Sequence, residues 1–160
     1  MRQLAFIALG AAACAPEPTD TSTDSGPETP AEEASACALR GETGRAMTPG
    51  QTPDTTAPQM PLGDEPATLS IVPDQPNYVR LELSEPGTLV VFASEVDVLM
   101  HLQQGVDPLP AEEPAAVEGC PDEIPERHDI PIDQAGTYHL RVAWAGFRTM
   151  WVYADLLPPA

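Results

Sequence analysis

Hydrophobic and polar residues alternate with a period of two over much of the chain after Ala67, which is typical of β-strands. In residues 78–83, Val79, Leu81 and Leu83 fall on one face. Residues 137–144 alternate in the same way, and the apolar run 89–93 predicts a central strand. Further strands are predicted at residues 69–72, 98–102, 127–132 and 149–154. Short strands separated by turns predict an all-β fold, an antiparallel, jelly-roll-like β-sandwich without a helix.

Prolines and glycines refine this prediction. Pro86 and Gly87 predict a type II turn between two strands, with Gly87 supplying the positive φ that such a turn requires. Pro131 interrupts the ladder donors of the strand at 127–132, which places that strand at a sheet edge.

The N-terminal segment has the three parts of an export signal. Arg2 supplies a positive charge, residues 4–9 are apolar, and residues 10–13 are small. The apolar part is about half as long as a membrane-spanning helix. We therefore expect residues 1–13 to be a signal peptide.

Residues 11–14, Ala-Ala-Ala-Cys, resemble the lipobox of bacterial lipoproteins. The resemblance implies cleavage before Cys14, acylation of Cys14, and localisation in the bacterial cell envelope on an outer-membrane or periplasm-facing lipid anchor. The alternative is an ordinary Ala-x-Ala cleavage site that releases a secreted protein.

Composition separates the rest of the chain into three parts. Residues 14–36 contain no large apolar residue and are rich in Pro, Thr, Asp and Glu, so they predict a disordered acidic tether. Residues 37–66 contain several prolines that break regular elements, and we expect them to lie irregularly against the domain. The predicted β-sandwich domain covers residues 67–157.

The chain has three cysteines, an odd number for an exported protein. If Cys14 carries lipid, Cys37 and Cys120 remain as a disulfide pair, which persists in an oxidising compartment. The alternative is a metal site formed by Cys37, Cys120 and His128. No Cys-x-x-Cys or His-x-x-x-His spacing supports that alternative, and we predict no metal.

Charge excludes one class of partner. The chain has 25 acidic residues against 7 basic ones, all of them arginine, and a net charge of -18. Such a charge repels phosphate backbones, so nucleic-acid binding is not expected. The acidity itself is typical of a solvated surface.

The second half of the chain resembles bacterial pre-peptidase C-terminal (PPC) domains. The resemblance rests on the strand Tyr78–Leu83, the Asp-Val-Leu-Met-His-Leu segment at 97–102, and the Gly-Thr-Tyr-x-x-x-Val segment at 136–142. It covers roughly residues 60–155. It implies a β-sandwich that acts as a non-catalytic accessory module of secreted or cell-envelope proteins.

No catalytic constellation is evident from the residues. There is no Gly-x-Ser-x-Gly elbow and no phosphate-binding glycine loop after a strand. His101, His128 and His139 fall on different predicted elements, and His139 is expected to face solvent. We therefore predict no enzymatic activity and no cofactor. Calcium remains an alternative at the acidic residues of 122–129 or at Glu95 and Asp97, without the spacing of an EF-hand.

Trp144 and Trp151 flank the last predicted hairpin. Exposed on a sandwich surface, they would form a ligand-stacking pair, which favours a secreted carbohydrate-binding module as the alternative function. The competing interpretation is that both rings complete the core. The predicted partners are a membrane, through the lipid anchor, and an envelope protein or polysaccharide.

Overall fold

Two β-sheets and one short helix make up the computed structural model, which describes residues 29–105, 107–110, 113–146 and 149–159. The helix α1 spans Ala31–Leu39. The strands are β1 Arg45–Met47, β2 Ala67–Ser70, β3 Asn77–Leu83, β4 Gly87–Ala93, β5 Leu99–Gln104, β6 Asp107–Pro108, β7 Ala115–Ala116, β8 Glu126–Ile132, β9 Gly136–Ala143 and β10 Thr149–Leu157. The prediction of an all-β sandwich is confirmed.

The strand order explains how the sandwich is built. The larger sheet has the order β1-β2-β10-β4-β8-β7 and the smaller sheet the order β3-β9-β5-β6. The pairings are antiparallel except for the parallel β1–β2 pair. Consecutive strands from β2 to β5, and again from β8 to β10, alternate between the two sheets, so each sheet is assembled from distant parts of the chain.

The inner faces of the two sheets form the main core. In β3, Val79, Leu81 and Leu83 are at most 3% exposed, which confirms the alternation predicted for this strand. They pack with inward residues of both sheets in one hydrophobic cluster. Fully buried members from other strands are Leu69, Leu89, Leu102, Ile130, Leu140 and Met150. Burial of this kind is the main source of stability of a small sandwich.

A second hydrophobic cluster covers the outer face of the larger sheet. Val90 and Phe92 of β4 and Tyr153 of β10 are buried there, beneath Ala36 of α1 and Ile124 of a loop. The central strand β4 is therefore apolar on both faces, which is why residues 89–93 have no polar interruption. The central position predicted for this run is confirmed.

The helix α1 differs from the prediction. It occupies residues 31–36 of the segment predicted to be a disordered tether, and it continues into residues 37–39. A short helix of low amphipathicity is not stable alone, so contacts with the rest of the domain hold it. Residues 1–28, with the predicted leader, Cys14 and most of the predicted tether, lie outside the described residues. Within the described part of the chain, no helix is long and apolar enough to cross a membrane.

The segment before β2 runs along the smaller sheet. Gly50 and Tyr78 exchange backbone hydrogen bonds of 2.9 and 2.8 Å, and the Met60 N–H donates to the Arg80 carbonyl at 2.9 Å. Met60 is 2% exposed and belongs to the main core. This segment therefore covers the edge of β3, which would otherwise offer unpaired backbone groups.

Gly87 has a different role from the one predicted. Its φ is not positive, so the prediction of a type II turn with a left-handed Gly87 is wrong. The residue begins β4, and a Cβ atom added there would lie 2.1 Å from the Leu157 carbonyl oxygen. Glycine is required because the end of β10 approaches the backbone too closely for any side chain. The strand order places β8 between β4 and the two-residue β7, so the predicted edge position is wrong for the start of β8. Pro131 lies beyond β7 and pairs with Thr88 of β4, so its side of the ladder is open there.

Candidate binding groove

A groove of about 380 Å³ lies at one end of the smaller sheet. Leu99 of β5 pairs with Ala143 of β9, and Arg141 lies two pairs further along the same ladder, opposite His101. These three residues line the groove together with residues from the surrounding loops. The loop residues are Asp74, Gln75, Pro76, Asp97, Trp144 and Ala145.

The loop between β2 and β3 forms one side of the groove, and a buried asparagine holds it. Asn77 is 2% exposed. Its side-chain oxygen accepts from the Val72 N–H at 2.9 Å, and its amide donates to the carbonyls of Val72 at 3.1 Å and Gln75 at 2.9 Å. Asp74, between these anchors, has a φ of +60°. The asparagine thus fixes a tight loop in which an aspartate takes the left-handed conformation.

The loop between β4 and β5 forms the other side, and a glutamate from the opposite sheet holds it. The Asp97 N–H donates to Glu126 Oε1 at 2.5 Å, and the Val98 N–H donates to Glu126 Oε2 at 3.2 Å. Asp97 has a φ of +59°. Asp74 and Asp97 are the two non-glycine residues with positive φ in the described part of the chain, and both line this groove.

Apolar surface accompanies these polar groups. Leu99 is 61% exposed, and Val96 in the neighbouring loop is 55% exposed. The Trp144 indole N–H donates to the Val96 carbonyl at 3.2 Å, and the ring packs at the border of the main core. The ring is partly buried, and Gly146 packs against it so closely that an added Cβ atom would lie 2.2 Å from the ring.

Of the groove residues, the sequence predicted a ligand-stacking role for Trp144, and it gave Asp97 as part of an alternative calcium site. Pro73 before Asp74 is a turn signal, and it marks the loop between β2 and β3. The signal does not reveal that this loop meets the loop of Asp97, because the two are brought together by β9 pairing with β3 on one side and β5 on the other. The hydrogen bonds from the loop of Asp97 to Glu126 were not predictable from the sequence, because Glu126 belongs to a strand of the other sheet.

The two tryptophans do not form a pair. Trp151 lies in the outer cluster and is 5% exposed. The Arg40 guanidinium carbon stands 5.5 Å from its ring centroid, and the Tyr153 ring centroid is 6.4 Å away. Trp144 belongs with the other cluster. The predicted ligand-stacking role is therefore wrong for Trp151, because α1 and its neighbours cover the ring.

The predicted disulfide is confirmed. Cys37 of α1 and Cys120 are joined, with their Cα atoms 5.9 Å apart. Arg40 adds to the same contact, since its Nε donates to the Glu123 carbonyl at 3.1 Å. The alternative metal site is wrong because both sulfur atoms are used in the disulfide. In the described residues, no group of three or more His, Cys, Asp or Glu side chains is arranged to hold a metal ion.

A charged cluster fastens α1 beside this disulfide. Arg127 of β8 contacts Glu32 at 3.1 Å, Glu33 at 3.4 Å and Asp129 at 2.8 Å. Burial by itself lowers the pKa of Arg127, but the hydrogen bond and charge of Asp129 and the charge of Glu32 outweigh it and raise that pKa. The guanidinium also stands over the Phe92 ring at 5.8 Å. This cluster explains how acidic residues of the first helical turn come to be buried.

The environment of His139 differs from the prediction that it faces solvent. The ring is 8% exposed, and its Nε2 lies 3.0 Å from the Asp54 carbonyl oxygen. The segment before β2 covers this part of the smaller sheet. Within the covering turn, hydrogen bonds from the side chains of Thr52 and Thr56 hold the pKa of Asp54 at about 2.

His128 occupies a different place from the other two histidines. It is 4% exposed on β8 of the larger sheet, with its Nε2 3.3 Å from Glu126 Oε2. His101 and His139 lie on β5 and β9 of the smaller sheet. Burial lowers the pKa of His128, and the charges of Glu126 and Asp129 counteract only part of that effect.

We expect His128 to make the protein less stable below neutral pH. Its pKa is lower when folded than the ordinary value of 6.5, so the unfolded chain binds the proton more tightly. The folded state keeps its full stability with respect to His128 above pH 6.5, where the ring is neutral in both states. It loses stability as the pH falls from 6.5 toward the folded-state pKa. Urea unfolding at pH 7.5 and 5.5 measures this loss.

A His128→Asn variant is the matched control for this prediction. It removes the titrating group, so its stability should change less between the two pH values than that of the unmodified chain. An equal change in both proteins would show that His128 does not cause the dependence.

No family model matches this chain, and no curated protein matches it.

Proposed function

We propose that the chain is an exported, lipid-anchored module of a bacterial cell envelope, without catalytic activity, whose β-sandwich presents a binding surface. The observation that supports this proposal is the disulfide between Cys37 and Cys120. A disulfide that joins the first helix to the domain is typical of a protein that folds in an oxidising compartment.

Cysteine usage then leaves Cys14 with a separate role. With the other two cysteines paired, Cys14 is the odd cysteine of the chain, and it follows three alanines at the end of an apolar leader. In this proposal it carries the lipid, and residues 15–30 separate it from α1. A coil of that length reaches on the order of 20 Å.

The lipid therefore holds the domain through α1, which the disulfide and Arg127 fasten to the outer face of the larger sheet. The groove belongs to the smaller sheet. The proposed role of the domain is to present that surface to an envelope protein or polymer, as its resemblance to PPC-type accessory modules also implies.

The test is to express the chain in a bacterium supplied with radiolabelled palmitate and to separate membrane and soluble fractions. We expect label in the protein and recovery in the membrane fraction. Cys14→Ser should abolish both, whereas Ser35→Ala, a matched exposed substitution, should change neither. An unlabelled chain that fractionates like its Cys14→Ser variant would refute the anchor.

A secreted carbohydrate-binding module is the second candidate. The specific observation in its favour is that Trp144 lines a groove that also contains carboxylates and a guanidinium. The fractionation experiment separates the two candidates, because a secreted module would be recovered in the medium.

A further inference from the structure

We propose that the groove at the end of the smaller sheet binds an uncharged hexopyranose unit of an envelope polysaccharide. The inference rests on the proposed function, in which the domain meets such polymers outside the cytoplasm. The residues that carry it are Asp74, Asp97, Leu99, Arg141 and Trp144, all of which line the groove.

The polar groups of the groove match a polyol. Asp74 and Asp97, from two separate loops, can only accept hydrogen bonds when ionised, whereas the Arg141 guanidinium can only donate. A sugar hydroxyl does both, so neighbouring hydroxyls can pair with both kinds of group. Hydrogen bonds to charged side chains are also stronger than those between neutral groups.

The apolar groups match the other aspect of a pyranose ring, its C–H surface. Leu99 is the most exposed of the large hydrophobic side chains in the described residues, at 61%. Trp144 also lines the groove, and its partly buried ring is held by the bond from its indole N–H to the Val96 carbonyl. The volume of about 380 Å³ falls within the size range of small-ligand sites.

The charge of the groove and of the whole chain favours neutral sugars over anionic ones. The groove carries two aspartates against one arginine, and the chain as a whole has a net charge of -18. An anionic polymer such as a polyuronate would meet repulsion at the site and over the approach to it. Neutral sugars meet none, which is why the proposal specifies an uncharged unit.

The groove is preorganised for a ligand. Asn77 makes three hydrogen bonds that fix the loop of Asp74, and Glu126 accepts two backbone N–H groups that fix the loop of Asp97. Loops that are already ordered lose little conformational entropy on binding. Asn77 and Glu126 therefore hold the backbone from which the Asp74 and Asp97 side chains project.

The test is calorimetric titration of the purified, disulfide-intact exported chain with cellohexaose, laminarihexaose, chitohexaose and, as the anionic probe, hexagalacturonate. We expect at least one neutral oligosaccharide to bind and hexagalacturonate not to bind. Arg141→Ala and Asp97→Asn should each weaken the neutral ligand by about tenfold or more. Arg45→Ala and Asp133→Asn, matched exposed substitutions outside the groove, should leave its affinity unchanged.

Several results would overturn the proposal. These are binding of hexagalacturonate alone, failure of all three neutral probes to bind a chain whose circular dichroism shows a folded sandwich, or equal weakening by the groove and control substitutions. Because this assay needs no lipid, its outcome is independent of palmitate labelling. If Cys14 is labelled with palmitate but no oligosaccharide binds, the anchor stands and the ligand proposal fails. If an unlabelled, released chain binds an oligosaccharide, the ligand proposal stands and the anchor fails.

Discussion

Replacing Cys37 and Cys120 together with serine will lower the free energy of unfolding by about 4–5 kcal/mol. The two residues are 83 positions apart, and cross-linking a loop of that length restricts the unfolded chain by about this amount in the chain-entropy model. Loss of the bond also releases α1 from the sheet, so Phe92 and Tyr153 lose part of their cover. Urea unfolding at neutral pH measures the change.

Cys14→Ser provides the matched control, since it removes a cysteine without removing the disulfide. Its free energy of unfolding should stay within about 0.5 kcal/mol of the unmodified chain, as is usual for substitutions away from the packed structure. Hydrogen exchange adds a local readout, and amides of α1 should lose protection more than those of β4. A double variant less than 1 kcal/mol below the unmodified chain would contradict the prediction.

Replacing Trp151 with alanine will cost about 3–5 kcal/mol of stability, the usual range for a large buried aromatic residue. The ring is 5% exposed between the larger sheet and the cover formed by α1 and its neighbours. Its removal leaves a cavity beside Tyr153 and deprives the Arg40 guanidinium of the ring it stands over. Chemical unfolding followed by circular dichroism measures the loss without relying on tryptophan fluorescence.

Two comparison variants sharpen this test. Trp151→Phe keeps an aromatic ring and should lose clearly less stability than Trp151→Ala. Trp144→Ala, at the partly exposed groove, should also lose less. If Trp151→Ala instead kept its stability and lost oligosaccharide binding, the ring would be a ligand contact, and its assignment to the outer cluster would be incorrect.

Strand positions were predictable because each face of a sheet meets a different environment. Val79, Leu81 and Leu83 point to the main core, and polar neighbours stand on the other face, so a period of two is visible in the sequence. The run at 89–93 was also informative, since only a strand covered on both sides tolerates uninterrupted apolar residues. The disulfide followed from counting the three cysteines, on the expectation that the chain is exported.

The helix α1 was not predictable from its residues. Its segment has one fully buried apolar residue, Ala36, and no apolar stripe that would indicate a helix. The contacts that hold it come from residues far along the chain, Cys120 and Arg127. Local composition reports how well a segment folds alone, and here the stability is supplied by other elements.

The burial of His139 and the groove were missed for related reasons. His139 alternates with core residues, and alternation correctly places it on the outer face of its strand. It does not show that the segment around Asp54 covers that face. The groove likewise depends on two loops that meet only after β3, β9 and β5 have paired. Sequence pattern describes one strand at a time, whereas these sites belong to neighbouring ones.

The position of β10 constrains how the protein reaches its native state. This last strand lies between β2 and β4 and hydrogen-bonds to both. A chain that emerges from its N-terminus cannot complete the larger sheet until residues 149–157 have followed. Contacts between such distant segments form slowly. The larger sheet is therefore completed late in folding, because β2 and β4 are joined through β10 and do not pair with each other.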